Sequence, residues 1–157
     1  LSSVTLRTLH ASASAFSRVK EDSGALAIEK LPLPVQVEKS ASQHFGAPCQ
    51  PLVNKKDRVE VGDLIGQVQG LGANVHASIT GTVTNVGTSI GPTSLNIPSV
   101  TIDPDTEAPD KIYTPSDWRG LSPQELLQKI KDGGIVGISG AGLPGSCQAV
   151  STAGSQC

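Results

Sequence analysis

The side chains best suited to chemistry in this sequence are two histidines, His44 and His76. Histidine binds metals and is the side chain that most readily changes charge near neutral pH. No carboxylate or cysteine stands at ligand spacing from either one, so the pattern favours histidines that hydrogen-bond backbone beside turns. The sequence also offers no Ser-His-Asp set and no pair of acids at catalytic spacing. We therefore expect no catalytic residue and no metal site.

A glycine-rich segment near the end of the sequence is the second candidate, with Gly137, Gly140 and Gly142 ahead of Pro144. Such a loop cradles phosphate through backbone N–H groups when a helix and a sheet hold it in place. Residues 145–157 are mostly Gly, Ser, Ala and Gln, and they predict neither element. We expect no bound cofactor here and interpret the segment as the remnant of a loop that lies against a partner.

Cysteine spacing argues against metal clusters. Cys49, Cys147 and Cys157 are widely separated and form no C-x-x-C motif, which excludes the usual zinc and iron-sulfur spacings. The odd number also argues against a disulfide framework. We expect reduced thiols, with Cys49 as a small buried apolar residue.

Composition limits the fold and the partners. Of 157 residues, 37% are hydrophobic and 3% aromatic, with 17 Gly and 11 Pro, which favours short strands and turns over a helical bundle. A net charge of −2 indicates neither nucleic acid nor an anionic membrane surface as partner. No apolar run approaches the roughly 20 residues that span a bilayer. We expect no transmembrane segment.

Residues 1–25 have the composition of a leader. Arg7, Arg18 and Lys20 occur among serines and threonines, and no acidic residue precedes Glu21. This is typical of a mitochondrial targeting segment, and a disordered polar tail is the alternative.

Alternating apolar residues between Gln43 and Val86 predict a small folded-over β-barrel in two halves. The halves carry Val59, Val61 and Ile65, then Val75, Ile79, Val83 and Val86. We expect the barrel to occupy about residues 40–103, with an edge strand at Val35 and Val37, a loop over 87–94, and a last strand over 99–102. Lys55-Lys56-Asp57-Arg58 is predicted to be a solvated turn.

This spacing resembles the biotinyl and lipoyl domains, which are barrel-sandwich hybrids with a cofactor-loaded lysine on the hairpin that joins their halves. The joining segment here, Gln67–Asn74, contains no lysine. A swinging arm on this hairpin is therefore excluded, because the hairpin has no amine to acylate.

The sequence after Asp103 predicts a linker and short helices. Two helix-start signals follow each other, at Thr114 with Pro115 and Asp117, and at Ser122 with Pro123 and Glu125. The second begins a helix with Leu126, Leu127 and Ile130 on one face, which Gly133-Gly134 ends. A short strand is expected over 135–138, and Trp118 is a candidate anchor to the barrel or to another subunit.

Several spaced motifs in order give a more specific resemblance. The segments 28–34, 42–48, 51–53, 59–66 and 75–83 resemble the amino-terminal domain of the RnfC family of the Rnf complex, and 134–144 is similar to the glycine-rich segment that opens that family's flavin- and nucleotide-binding domain. The resemblance covers roughly residues 26–144. It implies a mainly β, barrel-sandwich hybrid fold over 26–103 with an extended segment before it, and a tail over 104–157 with a linker, short helices and the glycine-rich remnant.

From this resemblance we expect a non-catalytic accessory subunit of a mitochondrial electron-transfer complex. Complex I is the expected assembly by analogy, and other subunits of that complex are the expected partners. The expected location is the matrix side of the inner membrane. Two alternatives stay open: a flavin-dependent redox subunit or fragment of an RnfC-type NADH-oxidising protein, and a cofactor-carrier or adaptor module.

Overall fold

The computed structural model describes residues 26–27, 29, 31–90, 96–109, 111, 113–138 and 142–151. The predicted leader over 1–25 lies outside these residues. The chain divides into two units, Leu1–Pro32 and Leu33–Cys157, and every described strand and helix lies in the second.

Seven strands form two antiparallel sheets, which confirms the predicted mainly β barrel-sandwich architecture. One sheet has four strands in the order β1-β7-β6-β3, and the other has three in the order β2-β4-β5. The short pieces arise because Gly, Pro and Asp interrupt the alternating apolar residues every few positions. Their bounds are β1 Val37–Ser40, β2 Gln50–Pro51, β3 Arg58–Val59, β4 Leu64–Gln67, β5 Val75–His76, β6 Gly81–Ser89 and β7 Ile97–Pro104.

The core lies between the sheets and includes most of the side chains that the alternation selected, although Val61 is only half-buried and is not part of the buried cluster. Ile65, Val83 and Ile102 are completely buried. Each contributes about 1.5–3 kcal/mol relative to an exposed side chain. The rest of the buried cluster is Ala41, Cys49, Val59, Val75, Ala77 and Val100, with Ile79 and Val86 packed against it.

Strands β6 and β7 are longer than the sequence predicted. Gly87 pairs with Ser99 and Ser89 with Ile97, so the first part of the expected 87–94 loop is strand. The polar residues there form a regular strand because β7 supplies hydrogen-bond partners for their backbone. The predicted edge strand is confirmed from Val37 onward, where β1 pairs with β7, whereas Val35 lies outside it.

Two turns in the first half of the barrel are closed by the same type of hydrogen bond, from a backbone N–H to an aspartate side chain. Asp57 Oδ2 accepts a hydrogen bond from the Asn54 N–H at 2.7 Å, and Asp63 Oδ2 accepts one from the Glu60 N–H at 2.8 Å. Both turns need a left-handed residue in third position, supplied by Gly62 at φ 88° and by Lys56 at φ 82°. The exposed turn predicted at Lys55–Arg58 is confirmed.

The helix predicted after Ser122 is confirmed and named α1, Pro123–Asp132. Ser122 Oγ accepts from the Glu125 N–H, while the Glu125 carboxylate accepts from the Ser122 N–H at 2.7 Å. Gly133 caps its end.

The helix start predicted at Thr114 is wrong, since residues 113–118 are not helical. Asp117 Oδ1 accepts instead from the Arg119 N–H two residues on, at 3.0 Å, which forms a turn. Trp118 is 57% exposed, with the Arg119 guanidinium 5.3 Å from its ring centroid. Its proposed role as an anchor to another subunit stays a prediction.

The segment after α1 also differs from expectation. The strand expected over 135–138 is reduced to a single antiparallel bridge between Val136 and Pro144. A helix, α2, does form at Gly145–Ser151, where none was predicted. Tertiary contacts override its weak propensity: the Gly145 N–H donates to the Ile135 carbonyl at 2.7 Å.

Candidate functional site

The candidate site is the junction where the β4–β5 hairpin meets the glycine-rich tail. The hairpin is closed by Asn74, whose Oδ1 accepts from the Val68 N–H at 3.2 Å. At its tip, Leu71 stands between Gly70 and Gly72, both at positive φ. No amine lies on this hairpin, as the sequence already showed.

His44 fixes the loop beside the hairpin. Its Nε2 lies 3.0 Å from the Ala47 carbonyl oxygen. A carbonyl can only accept, so Nε2 carries the hydrogen and donates it. Gly72 lies directly against the ring, because a Cβ there would be 2.7 Å from His44 Nε2. The predicted backbone-binding role is confirmed for His44.

His76 lies in β5, opposite Leu64 of β4. Its ring has no hydrogen-bond partner in the part of the chain that the structure describes. Gly134, just after α1, approaches it closely. A Cβ at Gly134 would be 2.2 Å from the Asn74 carbonyl oxygen and 3.3 Å from His76 Nδ1, and its φ is +62°. Contact and backbone conformation therefore both require glycine.

A second contact holds the far end of the glycine-rich segment. The Phe45 N–H donates to the Gly142 carbonyl at 3.0 Å, and a Cβ at Gly142 would be 3.2 Å from the Gln43 carbonyl oxygen. Between these contacts the segment closes on itself, since the Gly137 N–H donates to the Leu143 carbonyl at 2.9 Å. The described residues on both sides of positions 139–141 are thus held against the barrel and against each other.

A cavity of about 190 Å³ lies where the loop meets the barrel. It brings the two histidines together with a lysine from β1 and two side-chain amides, and no carboxylate lines it. The lining residues are Lys39, Gln43, His44, Ala73, Asn74, Val75, His76, Gly134 and Val136.

Two backbone N–H groups beside the glycine-rich loop are already used within the chain. That of Gly137 donates to the Leu143 carbonyl and that of Gly145 to the Ile135 carbonyl, so neither is available to a flavin phosphate. Of the other two candidate glycines, Gly142 accepts from the Phe45 N–H through its carbonyl, and Gly140 lies outside the described residues. The helix that follows the loop, α2, has only seven residues.

The cysteines do not supply a cluster site either. Cys49 is buried, its Sγ donates to the Ala73 carbonyl at 3.0 Å, and burial raises the pKa of its thiol. Cys147 is disulfide-bonded, so the expectation of reduced thiols is wrong for this residue. Across the described ranges, no three His, Cys, Asp or Glu side chains are grouped to hold a metal ion.

Comparison with known families agrees with this architecture. The family model of the RnfC barrel sandwich hybrid domain matches residues 15–107. The chain belongs to this family. The match begins inside the segment that composition marked as a leader and ends just after β7 of the RnfC-type barrel.

Three relatives of the RnfC-type barrel are much longer than the region that matches this chain. The RnfC-type subunit of the ion-translocating oxidoreductase complex of Rhodobacter capsulatus is 36% identical over 121 residues, covering 74% of this chain and 23% of that protein. The corresponding subunit of the proton-translocating ferredoxin:NAD(+) oxidoreductase complex of Clostridium ljungdahlii is 37% identical over 120 residues, covering 74% and 26%. The Pseudomonas aeruginosa relative, from an ion-translocating oxidoreductase complex, is 36% identical over 129 residues, covering 80% and 17%. The chain spans about a quarter or less of these relatives.

These relatives correct the expected location. They are bacterial proteins, so the mitochondrial, matrix-side localisation inferred from the leader composition is wrong. An Arg- and Ser-bearing segment without acids is a compositional signal that other segments share. Assignment to complex I receives no support either, because the relatives are named as subunits of ion-translocating oxidoreductase complexes. Among the described residues of the RnfC-type chain, no helix has the length and apolar character to span a bilayer.

Three residues of the junction escaped the sequence reasoning. Lys39 lay between the expected edge strand and the expected barrel, Asn74 ended the joining segment, and Gly134 was interpreted as a helix stop and as the first residue of the glycine-rich resemblance. The one available signal was the doubled glycine after α1, because Gly133 alone suffices as the cap.

Proposed function

We propose that the chain acts as the amino-terminal barrel module of an RnfC-type electron-transfer protein in an ion-translocating oxidoreductase complex. In this proposal the barrel is not catalytic. It is the docking surface, here called the seat, that holds the glycine-rich segment in a fixed position. The names of its relatives support the assembly, and the other subunits of that complex are the proposed partners.

The observation that carries the proposal is the pair of backbone contacts between tail and barrel. Gly134 lies on the Asn74 carbonyl, and Gly142 is hydrogen-bonded to Phe45. The two contacts fix both ends of the segment. Contacts of this kind involve no reacting group, which suits a positioning role for the barrel rather than catalysis.

A chimaera tests the proposal. The matching segment of the Rhodobacter capsulatus relative is replaced by residues 26–151 of this chain, and complex assembly and oxidoreductase activity are measured in that bacterium. We expect the chimaera to assemble and to retain activity. Gly134→Ala should reduce activity, because its Cβ cannot fit against Asn74.

The matched control is Gly120→Ala, where an added Cβ meets no atom within 4 Å. It should behave as the unmodified chimaera. A chimaera that folds but fails to assemble, or equal activity of the Gly134 and Gly120 variants, would refute the seating role.

A second candidate, a flavin-dependent redox fragment, is favoured by one observation: the relatives are named as subunits of oxidoreductase complexes. The test is flavin retention by the purified chain, measured by visible absorbance and by equilibrium dialysis. Saturable flavin binding that Gly137→Ala abolishes would support this function over the scaffold. A colourless chain that retains no flavin in dialysis removes it.

A further inference from the structure

The cavity at the junction has the chemistry of a small anion site. Lys39 and His76 line it, and neither side chain has a hydrogen-bond or ion-pair partner within the described part of the chain. Asn74 adds an amide: its Oδ1 is occupied by the Val68 N–H, so its NH₂ group is available to donate. An ammonium group, a ring N–H and an amide are donors that oxyanions accept.

The other groups that line the cavity are compatible with a bound anion. No carboxylate lines it, so no negatively charged side chain of the cavity wall opposes a bound anion. His44 is a wall of the cavity rather than a donor to it, because its Nε2–H is engaged with Ala47. Gln43 donates its amide to the Ser40 carbonyl at 2.9 Å, which leaves its Oε1 as an acceptor for a protonated oxygen of the ligand.

The volume of the cavity indicates the size of anion that it suits. The cavity measures about 190 Å³. A water molecule occupies about 30 Å³ in the liquid, whereas pockets for drug-sized ligands measure about 300–1,000 Å³. The space therefore suits an oxyanion with a few heavy atoms. It is also separate from the glycine-rich loop proper, since Gly137 and Gly142 do not line it.

We propose that this cavity binds a phosphoryl group, as free phosphate or on a small phosphomonoester, between the barrel and the tail. Lys39 and His76 supply the donors from the barrel side, and Gly134 and Val136 close the other side. A ligand that touches both parts binds the docked tail better than the undocked one. Binding therefore stabilises the docked arrangement by mass action.

Isothermal titration calorimetry of the full chain with inorganic phosphate and, separately, glycerol 3-phosphate tests the site, with chloride at matched ionic strength as reference. We expect saturable binding of one equivalent, weakened about tenfold or more in Lys39→Gln and in His76→Gln. Lys39→Arg keeps the charge and should bind within a few-fold of the parent. Lys55→Gln, in an exposed turn distant in sequence from the cavity residues, is the matched control and should leave binding unchanged.

The two ligands distinguish the sources of the phosphoryl group. Binding of inorganic phosphate alone supports a free-phosphate site, and equal or tighter binding of glycerol 3-phosphate supports a phosphomonoester site. Heats no larger than those of chloride overturn the proposal. So does equal binding by Lys39→Gln and Lys55→Gln, a comparison that remains decisive even if the His76 variant fails to fold.

Discussion

Substitution of Gly134 by alanine is the sharpest test of how the tail is held. The residue has φ +62°, where an L side chain costs about 1–2 kcal/mol. Its Cβ would stand 2.2 Å from the Asn74 carbonyl oxygen, a backbone atom that cannot rotate away. Overpacking of this kind costs typically about 1–3 kcal/mol. The two effects together weaken docking of the tail by about 2–5 kcal/mol.

The loss should be local, because Gly134 lies outside the barrel core. Native-state hydrogen exchange resolves local opening. The Phe45 amide reports on it directly, since this N–H is bonded to the Gly142 carbonyl. A weakening of about 2 kcal/mol raises the population of the open state roughly thirtyfold, so Phe45 should lose protection by about that factor. The Val83 amide, bonded to Asp57 inside the barrel, is the internal reference.

Gly120→Ala is the control, because an added Cβ there meets open space. It should leave both amides unchanged. If Gly134→Ala leaves Phe45 protection within twofold of the parent, the tail is not held by this contact, and the reasoning fails. If Val83 loses as much protection as Phe45, the substitution unfolds the barrel, and the separation between seat and tail is refuted.

Three further predictions concern the barrel. Gly81→Ala should lower the free energy of unfolding of the barrel by about 3 kcal/mol or more, because the new Cβ would lie 2.1 Å from the Asp103 carbonyl oxygen. Chemical denaturation measures this change, and a decrease below about 1 kcal/mol contradicts the close packing at Gly81. Lys56→Gly should stabilise by about 0.5–1 kcal/mol, because φ 82° is a glycine conformation; a lower melting temperature contradicts it. The hydrogen bond from Arg58 lowers the pKa of Asp105, so the contribution of this carboxylate is present above its unfolded pKa of about 3.9 and is lost as pH falls through the lower folded value. Asp105→Asn should therefore unfold more easily than the parent above about pH 4, with the difference vanishing at lower pH, and a difference that grows on acidification refutes the assignment.

The barrel could be predicted from sequence because its determinants are local. Side chains such as Val59 and Val83 alternate with polar neighbours and are buried in the core, and Asp or Gly marks each turn. The extent of β6 could not be predicted, because Gly87 to Ser89 carry no strand signal of their own. Their conformation depends on the pairing partner in β7.

The junction was predictable only in part, because only some of its contacts join residues that are close in sequence. His44 bonds the Ala47 carbonyl three residues away, which is a local contact that a pattern of turns implies. Lys39, His76 and Gly134 are far apart in sequence, and they line one cavity only after β1, β5 and the tail are assembled. The bridge at Val136 and the helix α2 likewise depend on contacts with each other, which composition does not reveal.

These contacts indicate a structural role for the hairpin that lacks a lysine. A swinging arm requires a hairpin that stands free of the rest of the protein, so that its load can reach distant sites. Here the hairpin is contacted at its base, where Gly134 lies on the Asn74 carbonyl, and near its tip, where Gly72 lies against His44. A tail seated at this point would obstruct an arm, whereas a hairpin shaped by glycines and closed by Asn74 suits a rigid seat. In the proposed function, the same barrel fold that carries a mobile group in biotinyl and lipoyl domains instead restrains its own neighbouring segment.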